Sequence, residues 1–299
     1  MPLTTGFAAP ASTHDSSSPN FLPPLGRTSA VHQPNLFPRL STLAKVFAAD
    51  VWVVLDDVQF ARRDYQHRAR IADLGDARRS RWLSLPTHLP TGRSTLICEA
   101  RLANPELSVR RMAGMVHHAY RRSPHWPAVE AVLAPVLAIL KETDRTAVVA
   151  EESTRALLAI LSWPGQTLHS SGLPARQGRS ERLADLAAEA GSINYLCGPG
   201  GLRYIDHAPF RSRGLTVLPF GAPQDGVWQG GRRVTALRAL AEIGPSSLAT
   251  ELRSVAELHR QDERRLAPPP TASHHRPESR PPCSTASEPS SSPQTTPCC

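Results

Sequence analysis

Ala30-Val31-His32-Gln33-Pro34-Asn35 and Val51-Trp52-Val53-Val54-Leu55-Asp56-Asp57-Val58-Gln59-Phe60 are two apolar runs, and each ends in a polar cluster. A continuous apolar run rich in β-branched residues and closed by polar ones reads as a strand buried on both faces. Between them Leu36, Phe37, Leu40, Leu43, Ala44, Val46 and Phe47 recur at roughly helical spacing, which predicts a strand, a helix and a strand. If the two strands are parallel neighbours, His32 and Asp56 lie at their carboxyl ends, where open α/β sheets bind ligands.

Working outward, Arg62 to Ile71 reads as a polar extended or looped stretch, and Trp82-Leu83-Ser84-Leu85-Pro86 as a third strand stopped by its proline. The pattern turns helical at about 105–162, with helices predicted around Leu107 to Tyr120, Val129 to Ile139 and Ala147 to Leu161. A second α/β stretch opens near Gln166. It runs through a helix from Ser180 to Ala190 stopped by Gly191, a strand Ile193 to Cys197, the turn Gly198-Pro199-Gly200-Gly201 and a last strand Leu215 to Phe220. Two amphipathic helices, about Val234 to Ile243 and Ser247 to Leu258, follow. The expected fold is α/β, with a mostly parallel central sheet, a helical insertion at about 105–162 and disordered tails. The folded part is placed at 29–266. Residues 1–28 and 267–299 are too poor in apolar side chains to offset their ordering entropy.

The net charge of +8 and the sequence pI near 9.8 admit phosphate, nucleic-acid or anionic-surface partners. All but two of the 34 basic residues are arginines, Lys45 and Lys141 being the exceptions. They form no single stripe and no nucleic-acid motif, so a nucleic-acid partner is not expected. Cys98, Cys197, Cys283, Cys298 and Cys299 show no paired metal spacing; the first two read as reduced structural thiols and the other three fall in the C-terminal tail. No basic segment followed by an apolar stretch opens the chain, and no run approaches the length that spans a bilayer. The expectation is a cytoplasmic protein without membrane insertion. No metal is expected, and the sequence names no cofactor and no oligomeric state.

His32 has the ring of a general base or anion contact, with the amides of Gln33 and Asn35 beside it to fix a polar substrate. A histidine bonded to a neighbouring loop carbonyl is the plainer reading. Asp56 and Asp57 offer paired carboxylates, one for substrate and one for capping the turn, with Gln59 close by. Adjacent aspartates alone are weak evidence for a divalent ion. Arg62, Arg63, Arg68 and Arg70, interleaved with Tyr65 and Gln66, form either an anion clamp or a solvated charge run. Gly198 and Gly201 belong to a turn after a strand that matches neither the dinucleotide nor the P-loop pattern. Ser180 and Arg182 open a helix whose positive end favours an anion, although Ser180 also serves as a plain cap.

Taken together these segments resemble the WbqC-like family. The resemblance rests on His32-Gln33-Pro34-Asn35 with Phe37-Pro38, on Asp50 through Phe60, on Gln66, Arg68, Arg70 and Ile71, and on Trp82 through Pro86. It continues through Tyr120, Pro124 and Trp126, Ser170-Ser171, and Ser180, Arg182 and Leu183, to Tyr195-Leu196-Cys197-Gly198 with Gly201, Tyr204 and Phe210. Arg39, Ser41, Thr42 and His67 depart from the family pattern, as does the stretch from Gln224 to Arg233. The resemblance implies a cytoplasmic enzyme of O-antigen, other surface-polysaccharide or natural-product biosynthesis, some members being described as glycine or aminoacyl transferases acting on amino sugars. On that footing the chain is expected to be a transferase moving an acyl or aminoacyl group to an amino sugar or small-molecule acceptor. His32 and Asp56 are its expected catalytic residues. Gln33, Asn35, Asp57, Gln59, Gln66, Arg68, Arg70, Ser180, Arg182, Gly198, Gly201 and Tyr204 are expected to bind an anionic or sugar-like substrate. The alternative is an accessory protein that binds a nucleotide or sugar phosphate without chemistry.

Overall fold

The computed structural model describes residues 26–266, with side chains as far as 261. The expectations for the two tails, including Cys283, Cys298 and Cys299, lie outside the described residues. The chain runs β1 (Thr28–His32), α1 (Leu40–Phe47), β2 (Val51–Val54), β3 (Arg68–Asp73), β4 (Asp76–Ser84), β5 (Thr87–His88) and β6 (Arg101–Leu102). Three helices follow, α2 (Pro105–Tyr120), α3 (Trp126–Glu142) and α4 (Thr146–Ile160). The remainder is β7 (Gln166–His169), α5 (Arg179–Glu189), β8 (Asn194–Cys197), α6 (Pro199–Leu202), α7 (Ala208–Ser212), β9 (Thr216–Pro219) and α8 (Ala236–Leu266).

Five strands form one sheet in the order β7-β2-β1-β8-β9, and every pairing in it is parallel. The apolar runs that predicted β1 and β2 are buried on both faces, because side chains alternate across a strand and both sides are covered. Ala30, Trp52, Val54, Leu196 and Leu218 join the core shared with α1, α2, α3, α4 and α8. Val31, Val51, Val53, Tyr195 and Cys197 face the opposite way, onto Ala184, Leu186 and Ala187 of α5 and Phe210 of α7.

The helical stretch comprises α2 to α4, placed between β6 and β7. Asn104 opens α2: its Oδ1 accepts the Leu107 amide at 2.8 Å and Pro105 occupies the first helical position. α5 stops where Gly191 takes φ +67°, a left-handed value that Gly adopts without a Cβ clash. α8 is broken at Gly244, φ +77°, and Pro245, which gives the two predicted C-terminal helices.

The strand predicted at Trp82 is present but begins earlier, at Asp76, and ends at Ser84. Trp82 to Ser84 do not join the central sheet; they end β4, which pairs with β3 as an antiparallel hairpin in a separate two-stranded sheet. The stretch read as extended or looped up to Ile71 contains the start of β3. The cause of the pairing is the turn between Asp73 and Asp76, where Gly75 at φ +75° reverses the chain.

Candidate functional site

The chain leaves β1 for β2 on one side of the sheet, while β8 and β9 are added on the other. Connections that part in this way open a crevice beyond the strands' carboxyl ends. A cavity of about 490 Å³ lies there, between β1 and β8. His32 and Gln33 come from the end of β1, Arg39 and Lys45 from the start and inner face of α1, and Cys197, Gly198 and Gly201 from the end of β8. Asp64 and Arg232 complete the charged part of the lining.

His32 keeps partial exposure through this cavity. Its Nδ1 lies 2.8 Å from the carbonyl oxygen of Gln33. A carbonyl only accepts, so Nδ1 carries the proton and Nε2 a lone pair. Burial lowers the ring's pKa to about 3, with the positive charges of Lys45 and Arg39 acting in the same direction and the Gln33 carbonyl against them. His32 is consequently a neutral acceptor at physiological pH.

Lys45 is buried, 8% exposed, in a helix that is otherwise almost wholly apolar on its inner side. Its Nζ donates to the Val31 carbonyl oxygen at 3.3 Å. Among the described residues no carboxylate forms an ion pair with it, so two of its three donor positions are left to the cavity. Burial lowers its pKa to about 8, opposed by the Cys197 thiol and reinforced by the charge of Arg39. The Arg39 guanidinium lies 4.3 Å over the Tyr65 ring and donates to the Arg232 carbonyl oxygen at 3.3 Å, while its Nε is buried without a partner. Three cations face one carboxylate, that of Asp64, so the cavity is electropositive.

Cys197 is 2% exposed; burial raises its thiol pKa, with the Lys45 charge pulling the other way. A Cβ placed on Gly201 would stand 2.8 Å from the Cys197 sulfur, so glycine there lets the backbone close over the thiol.

Of the residues named from the sequence, the structure brings His32, Gln33, Gly198 and Gly201 together around this cavity. Ser180, Tyr204 and Gly201 line a smaller adjoining one of about 230 Å³. Gln66 is fully buried behind Gln33 and donates to its Oε1 at 2.7 Å, and Asn35 is buried with its Oδ1 unpaired. Asp56, Asp57 and Arg182 form a different cluster. Asp56 accepts from the Ser170 hydroxyl at 3.1 Å and from the Ser171 amide and hydroxyl at 3.1 and 2.9 Å. Asp57 accepts from Ser170 and pairs with Arg182. Gln59 is exposed and donates to the Arg93 carbonyl oxygen at 2.5 Å. Arg68 and Arg70 stack on the Trp82 indole at 4.2 and 4.7 Å, away from the cavity lining.

Lys45, Arg39, Arg232 and Asp64 were not singled out by sequence reasoning, and Cys197 was read as structural. A signal for Lys45 existed: a lysine on an apolar helix face, in a chain whose basic residues are otherwise arginine but for Lys141. Among the described residues no group of three or more His, Cys, Asp or Glu side chains is placed to hold a metal ion.

The model of the WbqC-like protein family matches residues 33–224, which include β2 to β9 and most of the cavity wall. The chain belongs to the WbqC-like protein family. It is also similar to an uncharacterized protein of Mycobacterium tuberculosis, 23% identical over 194 residues, or 64% of this chain and 80% of that relative. No solved structure matches it. The family match begins one residue after His32 and ends before Arg232, so both lie just outside it. No helix among the described residues is long and apolar enough to cross a membrane.

Proposed function

We propose that this WbqC-like protein is a biosynthetic transferase, moving an acyl or aminoacyl group such as glycyl from an activated anionic donor to an amino sugar or another small-molecule acceptor. Surface-polysaccharide or natural-product assembly is the setting that the family resemblance supplies. The observation that carries the reading is the buried Lys45 ammonium, which faces an electropositive cavity and pairs with no carboxylate among the described residues. A buried cation of this kind is costly unless a ligand's charge or a proton transfer makes use of it.

An acceptor amine must lose a proton as it attacks a carbonyl. A base serves best when its pKa lies near the working pH, and Lys45, at about 8, meets that condition better than His32, at about 3. In this reading Lys45 takes a proton given up during the transfer, and the His32 Nε2 accepts a hydrogen bond from the substrate bound in the cavity. Arg39 and Arg232 hold the anionic part of the donor, and their fixed charges stabilise the oxyanion as it forms. The Gly198 to Gly201 turn forms the wall opposite α1. Asp56 and Asp57, engaged by Ser170, Ser171 and Arg182, hold the loops at the strand ends in register rather than touching the acceptor.

The test is a thermal-shift screen with nucleotides, sugar nucleotides and amino acids, followed by mass spectrometry of the stabilising pairs for an acylated product. Stabilisation with product formation, lost by about 10²-fold or more in Lys45→Met, is the expected result. Stabilisation without product from any donor and acceptor pair would instead make the protein a nucleotide- or sugar-phosphate-binding module. Absence of stabilisation by every anionic ligand would overturn both readings.

A further inference from the structure

Cys197 stands in the wall common to two cavities. One is the electropositive cavity of about 490 Å³, and the other is the adjoining cavity of about 230 Å³ lined by Ser180, Leu183, Tyr204 and Ile205. Gly200 and Gly201 share that wall with it, and Gly201 is the position where a side chain would collide with the sulfur. The one hydrogen bond of the thiol among the described residues is a long one, 3.7 Å, to the Gly198 carbonyl oxygen. Lys45, on the facing helix, lines the larger cavity with it and retains two free donor positions. A thiol between two chambers, with a carboxylate-free amine across one of them, suits a group that is received on one side and passed on to the other.

We propose that Cys197 carries the transferred acyl group as a thioester, and that Lys45 is the base that takes the thiol proton. This rests on the acyl-transfer reading above. In the first half-reaction the proton leaves sulfur for the neutral Lys45 amine, and the thiolate attacks the carbonyl carbon of an acyl phosphate, acyl nucleotide or thioester donor in the larger cavity. The S–C bond forms, the bond from carbon to the leaving group breaks, and the leaving group departs as an anion beside Arg39. In the second, an acceptor amine reaching through the smaller cavity attacks the thioester carbon. The C–N bond forms, the C–S bond breaks, and the amine proton returns to sulfur. The proton held by Lys45 goes to solvent. No electrons are gained or lost overall.

Burial raises the thiol pKa and lowers that of the amine to about 8, so desolvation favours the neutral thiol and amine over the thiolate–ammonium pair, and the proton passes to Lys45 as the sulfur attacks the carbonyl. The charged or titratable groups lining the two cavities with them are His32 from β1, Arg39 from the start of α1, Tyr195 from β8, Asp64 and Arg232 from the surrounding loops, and, on the smaller side, Arg179 and Tyr204.

The experiment uses the full chain and two probes, neither of which depends on knowing the substrate. Iodoacetamide labelling at pH 6–10 is followed residue by residue by peptide mapping, and acylation by p-nitrophenyl acetate is followed by intact mass. The expected results are one acetyl group per chain mapped to Cys197, and alkylation of Cys197 faster than of Cys98. Labelling of Cys197 is expected to slow by about tenfold or more in Lys45→Met. Lys45→Arg, which keeps the positive charge across this range, should leave the alkylation profile in place or move it to lower pH; thermal melts confirm that each variant is folded. Labelling of Cys98 but not of Cys197 in the folded protein would overturn the proposal, as would a wild-type labelling rate in Lys45→Met. The two readings fail separately. Full turnover of a donor and acceptor pair by Cys197→Ser and Cys197→Ala would remove the thioester and leave the transferase. An acetyl group that loads onto Cys197 and is discharged to no amine would support the thiol assignment and remove the transferase.

Discussion

An ammonium group enclosed by protein and given a single carbonyl, as Lys45 is, destabilises the fold at neutral pH. Replacing it with methionine keeps the volume and removes the charge. Lys45→Met is therefore expected to melt higher than the wild type at pH 7, by about 2–4 °C for each kcal/mol of desolvation relieved, while losing activity. A lower melting temperature would mean that the charge is stabilised by something other than a missing ligand. His32 gives a pH signature of the same origin, the burial of a base. Its folded pKa, about 3, lies below the unfolded value of about 6.5, so between these the unfolded chain binds more protons and stability falls as pH falls. Its contribution is fully present above pH 6.5 and is lost on acidification towards pH 3. His67, lowered to about 4, adds to the same slope. His32→Gln should flatten the dependence of melting temperature on pH between 6.5 and 4; an unchanged slope would show that the ring is not held neutral.

At the scale of elements, the strand ends could be read because apolar runs stop abruptly at His32 and at Asp56, and a parallel sheet puts both at one edge. The strand at Trp82 was legible but its pairing with β3 was not, because Arg68 and Arg70 look like anion-site residues until Gly75 folds them against Trp82. The guanidinium groups stack on the indole, so planar charge at the right spacing reported packing and not a site. Lys45 escaped for the reverse reason. It lies among Ala44, Val46 and Phe47, and only the contact of α1 with β1 and β8 reveals that its head reaches the cavity. α3 carries a feature with a direct consequence: Pro135 sits inside the helix, away from the lining of the main cavity, where it removes one backbone donor. Pro135→Ala should stabilise the protein by roughly 1–3 kcal/mol in urea denaturation without changing turnover. Destabilisation would show that neighbouring helices have adapted to the proline.

For the molecule as a whole, the sheet order β7-β2-β1-β8-β9 joins strands far apart in sequence, with the hairpin and three helices between β2 and β7. Alternation and run length identified these strands, but their order depends on which helix covers which face, and that is settled by packing over the whole chain. The cavity is a product of that order: it exists because β8 lies beside β1 on the side away from β2. A further consequence is that groups from β1, α1 and β8 are brought to one electropositive chamber built around a desolvated amine. Because the chain has only two lysines, ¹³Cε-lysine labelling yields a spectrum in which the Lys45 signal is assigned by its loss in Lys45→Met. The account predicts that this signal titrates near 8 in the free protein and shifts to higher pH when an anionic ligand occupies the cavity. Titration near 10.4, the value of a solvated lysine, would contradict it.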